Sequence, residues 1–133
     1  MRHILIAIAT SHYPNLPESD QRPQLSAVLA SVVDMFTRRI GCYRHVLDEV
    51  SDNPPADALR KALDRWFAAD ERNQSDWVVL YYTGHAQIAG DETLYLLTSD
   101  FVPGQYVGTA FRLGRPGSAH WVRPWFNGDA ANS

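Results

Sequence analysis

The sequence predicts an α/β domain with a mainly parallel sheet flanked by helices, and three observations carry that reading. Val78 to Tyr82, five apolar or aromatic residues in a row, reads as a strand covered on both faces, and the opening run to Ala9 reads as a second short apolar strand. Residues 25–40 and 55–69 carry apolar side chains at helical spacing. Strands and helices alternate in the order β-α-β-α-β, which a doubly wound sheet with right-handed crossovers requires.

The opening run from His3 to Ala9 ends in a polar loop, Thr10 to Arg22, where Pro14, Pro17 and Pro23 prevent regular pairing. Leu25, Val28, Leu29, Val32, Val33 and Phe36 then follow the i, i+3, i+4, i+7 rule, and Gly41 stands as the stop after Arg38 and Arg39. Those arginines, with Arg44, read as a solvated helix end that favours the dipole. Tyr43 to Leu47 reads as a second, short strand. The turn Ser51-Asp52-Asn53-Pro54-Pro55 introduces a second helix with Ala58, Leu59, Ala62, Leu63, Trp66 and Phe67 on one side. Trp66 and Trp77 are expected in the core or at its edge. Leu94 to Leu97 forms a further strand after a Gly90-Asp91 turn, a hairpin-like excursion. From Arg112 to His120 no helix or strand period is visible, and Trp121, Trp125 and Phe126 follow among Arg123, Pro124 and Gly128. The expected division is therefore a domain over 1–111 and an irregular aromatic, Gly and Pro tail over 112–133.

Composition narrows the function classes. At 133 residues and 45% hydrophobic the chain suits one domain with a sizeable core. A net charge of -3 offers no broad basic surface, which argues against nucleic acid. No apolar run approaches the ~18 residues of a spanning helix, and the start lacks a signal-peptide pattern, so no membrane role is expected. The single cysteine, Cys42, forms no internal disulfide and fits a cytoplasmic setting. His3, His12, His45, His85 and His120 show no ligand spacing with one another or with Cys42, and neither a nucleophile elbow nor a phosphate-binding glycine loop occurs. No metal and no cofactor are expected.

The segment Val78 to Ala86 carries the chemistry. Ligands of parallel sheets gather at the strands' carboxyl ends. There Gly84 permits a tight bend and close approach of backbone to substrate, and His85 is the side chain whose ordinary pKa lies nearest neutrality. The bland alternative is a histidine that merely finishes a strand.

Tyr82-Thr83-Gly84-His85 after an apolar strand resembles the histidine box of caspase-like cysteine peptidases, especially the bacterial caspase-like and metacaspase type. The opening strand with Tyr13 to Pro17 after it, the helices from Leu25 and from Ala56 to Trp66, and Tyr95-Leu96-Leu97-Thr98-Ser99-Asp100 fall in family order. Ala86 stands where the family has a second glycine. The resemblance implies a caspase-like (caspase-haemoglobinase) fold, incomplete at its carboxyl end, and a peptide or protein substrate. It implies that His85 assists a cysteine thiolate and protonates the leaving amine, and that the Gly84 N–H helps hold the oxyanion. Asp91 and Asp100 read as turn formers rather than as members of a triad.

The nucleophile does not fit. In caspases the cysteine follows the histidine by about 50 residues, which falls at or past Ser133, and no cysteine follows His85. Cys42 precedes the histidine, and its place does not match the end of a strand; it reads as a small, partly buried apolar residue. The expectation is a truncated or frame-shifted cysteine endopeptidase domain, inactive alone. The alternative is a short pseudo-peptidase that pairs with another chain through its sheet edge. Glu18, Asp20 and Arg22 are candidate contributors to specificity, with solvated loop charges as the plainer account.

Overall fold

The computed structural model describes residues 2–68, 76–90 and 92–114. Strand β1 (His3–Ala9) lies at the centre of a parallel sheet between β2 (Tyr43–His45) and β3 (Trp77–Thr83). Pairing begins at His3↔Tyr43 and His3↔Trp77 and runs along β3 to Ala9↔Thr83, so the opening run and the strand before His85 are neighbours, as expected. The bidentate contact of Arg2 to Asp76, 3.0 Å and 2.5 Å, fastens the start of β3 to the start of β1.

Alternation along β1 divides the core into two layers. Ile4, Ile6 and Ile8 pack with Leu59, Ala62 and Leu63 of helix α2 (Ala56–Ala68), while Leu5, Ala7 and Ala9 pack with Leu29 of helix α1 (Leu25–Asp34). Both helices fall where the apolar spacing puts them, one on each face. The end of α1 differs in kind from a plain α-helix. Met35–Arg39 continues as a π turn, with Ile40 N–H donating to the Met35 carbonyl at 2.8 Å and Gly41 N–H to Phe36 at 3.3 Å. Thr37 contributes a cause: its hydroxyl donates to the Val33 carbonyl at 2.7 Å, competing with the regular ladder. Gly41, at φ +83°, then ends the helix as anticipated.

Helix α2 begins after Pro54-Pro55, and its cap comes from far away in sequence. Asp100 Oδ1 accepts from the Ala56 N–H at 3.0 Å and from the Thr98 hydroxyl at 2.7 Å. Asp100, read as a turn former, thus also caps α2; Asp91 lies outside the described residues.

A second, antiparallel sheet follows, β4 (Ala86–Ile88), β5 (Leu94–Leu97) and β6 (Ala110–Gly114), in the order β4-β5-β6. The hairpin expected around Leu94 to Leu97 is present, with β4 as its partner.

Several sequence readings need correction. Strand β2 stops at His45, because Leu47 takes a left-handed conformation (φ 58°) that opens a 3-10 turn. Arg112 to Gly114, read as lacking a strand period, belong to β6, where pairing with β5 through a bulge sets the conformation and hides the alternation. The remainder of the tail, 115–133, lies outside the described residues. Trp77 is 58% exposed rather than core. Cys42 is exposed rather than partly buried.

Leu59 is fully enclosed between α2 and β1, so Leu59→Ala is expected to cost about 3 kcal/mol in urea unfolding, against less than about 0.5 for Val28→Ala on the outer side of α1. Equal losses would show that the two-layer core is wrongly placed.

Candidate active site

Three segments meet at the carboxyl edge of the parallel sheet. The first is the loop after β1. Its prolines donate no backbone hydrogen bonds, and its shape is set by backbone bonds such as Arg22 N–H to the Ser11 carbonyl at 2.9 Å together with Gln21, whose Oε1 accepts from Tyr13 N–H at 2.6 Å and whose Nε2 donates to the Tyr13 carbonyl at 2.7 Å. The second is the turn at 51–53. Ser51 accepts from Ala9 N–H at 2.8 Å, and Asn53, at φ 51°, accepts from Ser11 and His12 N–H through Oδ1 at 2.9 Å each. The third is Gly84-His85, directly after β3.

Gly84 is demanded by its surroundings. Its φ is +153°, and a Cβ placed there would stand 2.6 Å from the Tyr82 hydroxyl and 2.9 Å from that of Tyr13. Both hydroxyls donate to the Leu97 carbonyl, Tyr82 at 2.6 Å and Tyr13 at 3.0 Å. Burial raises the Tyr82 pKa well above its ordinary value, and the neighbouring Tyr13 raises it further. Tyr13 is raised as well, again by burial, with its hydrogen bonds acting in the opposite direction.

His85 is half-buried at this edge, as expected. Its N–H donates to the Tyr13 hydroxyl at 2.9 Å and its carbonyl accepts from Leu97 N–H at 2.9 Å, which fixes the backbone on both sides. The Tyr13 ring lies against the imidazole with centroids 5.2 Å apart. One ring nitrogen, Nε2, lies 2.7 Å from the Asp20 carbonyl. A carbonyl can only accept, so Nε2 carries a proton, and whenever the ring is neutral Nδ1 is the nitrogen that keeps its lone pair. Among the described residues Nδ1 has no hydrogen-bond partner. Asp20 therefore meets His85 through its main chain, while Arg22 donates to the carbonyls of Ser19 and Gln21, at 2.8 Å and 2.9 Å, within the loop.

Cys42 is remote from this constellation. It precedes Tyr43, which pairs with His3 at the amino end of β1, whereas Gly84 follows Thr83, which pairs with Ala9 at the carboxyl end. Six strand steps separate those levels, about 20 Å.

Of the other histidines, His12 belongs to the loop after β1, where its N–H donates to Asn53 Oδ1. His3 packs on Tyr43, and His45 Nε2 shares a hydrogen bond of 3.0 Å with the Ser51 hydroxyl. His120 lies outside the described residues. Among the described residues no three His, Cys, Asp or Glu side chains converge as a metal site, and no helix is long and apolar enough to cross a membrane.

Sequence reasoning missed Tyr13 as a contact of His85, Gln21 as the clamp of the loop, and the Asp20 main chain. A tyrosine and a glutamine in a proline-rich loop carry no spacing signal, and a carbonyl carries no side-chain identity at all.

The family comparison agrees with this architecture. The family model described as Caspase domain matches residues 2–116. The chain belongs to that family, a peptidase family acting on proteins, and its α/β fold is the caspase-like one. No curated protein and no solved structure matches it.

Two results are expected here. Gly84→Ala should destabilise the chain by about 2 kcal/mol, because the methyl group collides with two hydroxyls and the backbone angle disfavours a side chain; an unchanged urea midpoint would contradict the packing described. The tyrosine pair also predicts a pH dependence. Unfolded tyrosines ionise near pH about 10 and these two hold their protons longer, so the folded state binds more protons there and stability falls as pH rises past that point. Tyr82→Phe should flatten the fall, measured as urea midpoints across the alkaline range.

Proposed function

We infer that this chain carries the base half of a caspase-like cysteine endopeptidase site and does not hydrolyse peptides by itself. The observation that supports the reading best is the Nε2 contact to the Asp20 carbonyl, which leaves Nδ1 of His85 as the basic nitrogen at the sheet's carboxyl edge. In this proposal Nδ1 takes the proton from a cysteine thiol, the thiolate attacks the scissile carbonyl, and the imidazolium returns the proton to the leaving amine. The Gly84 N–H is the proposed donor to the oxyanion. No metal or cofactor enters this chemistry. The thiol must come from a cysteine other than Cys42, which sits at the opposite end of the sheet, supplied by further sequence or by another chain.

A second reading, a catalytically silent domain of the metacaspase-like type that binds a protein partner in the cytoplasm, draws on the outer edge of β3. Trp77 and Leu80 lie on opposite faces of that strand and are 58% and 38% exposed, and among the described residues only β1 pairs with it.

The test is a panel of peptides cleaved after Asp, Arg or Lys, offered to the purified chain and to its Cys42→Ser and His85→Ala variants. Silence is expected throughout. Supplying a segment with a helix and a cysteine-bearing strand should then produce cleavage, which His85→Ala lowers by about 10²–10⁴-fold. Cleavage by the chain alone, lost in both variants, would overturn the reading and make Cys42 the nucleophile. Silence with the segment supplied would favour the binding module.

A further inference from the structure

The loop between β1 and α1 is held by a few backbone bonds, Arg22 N–H to the Ser11 carbonyl at 2.9 Å, Leu16 N–H to the Tyr13 carbonyl at 3.0 Å and Asp20 N–H to the Pro17 carbonyl at 3.0 Å, and by one side chain that ties Tyr13 to the segment at Asp20. Pro14, Pro17 and Pro23 donate no backbone hydrogen bond, yet Tyr13 and Asp20 must both be held against His85. Gln21 is the residue adjacent to Asp20, and its amide grips Tyr13 on both sides: Oε1 accepts from Tyr13 N–H at 2.6 Å, and Nε2 donates to Tyr13 O at 2.7 Å. The same Nε2 reaches the carbonyls of Leu16 at 3.3 Å and Pro17 at 3.4 Å. Alongside those backbone bonds, one primary amide thus ties together the two parts of the loop that touch His85. At one end the Tyr13 ring and hydroxyl meet the imidazole and the His85 N–H; at the other the Asp20 carbonyl meets Nε2.

We propose that Gln21 is a positioning residue for His85, closing the loop so that the Asp20 carbonyl fixes the imidazole as its Nε2–H tautomer. It touches neither the reacting atoms nor His85 itself. The choice of side chain fits the task. The loop needs an acceptor for one N–H and a donor for several carbonyls within one small group, and a carboxamide supplies both without charge. A glutamate would keep the acceptor and replace the donors by an oxygen facing three carbonyls. The inference rests on His85 being the base of the site, but its readout, the tautomer, does not require turnover.

The experiment is a long-range ¹⁵N–¹H correlation spectrum of the imidazole rings of the full chain, with His85 assigned by its absence in His85→Ala. The wild-type ring is expected as a single tautomer protonated at Nε2. In Gln21→Ala the Nδ1–H tautomer should gain about fivefold in population, the size of losing one net hydrogen bond, while amide shifts of β1 and β3 stay in place. Gln21→Glu should act in the same direction and supplies the result if Gln21→Ala does not fold. A single Nε2–H tautomer retained in the folded variant would overturn the role of Gln21 and leave His85 as base untouched. A wild-type ring protonated at Nδ1 would overturn both together.

Discussion

Everything in this structure hangs on β1 being enclosed from four directions. Its two edges are paired in parallel by β2 and β3, and its two faces are covered by α1 and α2, so Ile4 to Ala9 are at most 2% exposed. A strand in that position has no polar escape for its backbone except the ladders on either side. The constraint reaches past the sheet. Because β1 and β3 run in register to Ala9↔Thr83, the loop that leaves β1 and the turn that leaves β3 emerge side by side. Thr10 N–H still donates to the Thr83 carbonyl at 2.9 Å, and the 51–53 turn continues the pairing on the opposite edge.

At that junction a small polar network sits on an apolar base. Tyr13, Leu97, Phe101 and Ala110 form a separate core cluster that seats the second sheet against the loop after β1. The two tyrosine hydroxyls then spend their donors on one carbonyl, that of Leu97, while Tyr13 also accepts from His85 N–H. There is no room left for a side chain at position 84. Gly84 thus has a structural role in addition to the oxyanion role proposed for it: it lets the strand end close enough to these hydroxyls for His85 to be held by its own backbone.

The framework was legible in the sequence because burial writes itself as periodicity. The continuous apolar run of β1, the helical spacing from Leu25 and from Ala56, and the Gly41 stop reflect forces acting within about a turn or a strand of each residue. Gly84-His85 was legible for the related reason that strand ends in parallel sheets gather ligands. What escaped depends on distant partners. The cap of α2 comes from Asp100, 44 positions further along the chain, and β6 owes its conformation to pairing with β5 rather than to its own alternation. Trp77 was misjudged because a strand reading as buried on both faces stands at a sheet edge among the described residues. The orienting partner of His85 is a carbonyl, and every residue has one.

The account's central claim is that the imidazole of His85 is held through Nε2 by the Asp20 carbonyl, leaving Nδ1 open. The most direct measurement is the scalar coupling across that hydrogen bond, between ¹⁵Nε2 of His85 and the ¹³C carbonyl of Asp20 in a doubly labelled chain. A resolved coupling, with the Nε2 proton exchanging slowly enough to be seen, is the predicted result. No coupling, together with an Nε2 proton that exchanges at the solvent rate, would contradict it and return His85 to being a residue that merely ends a strand.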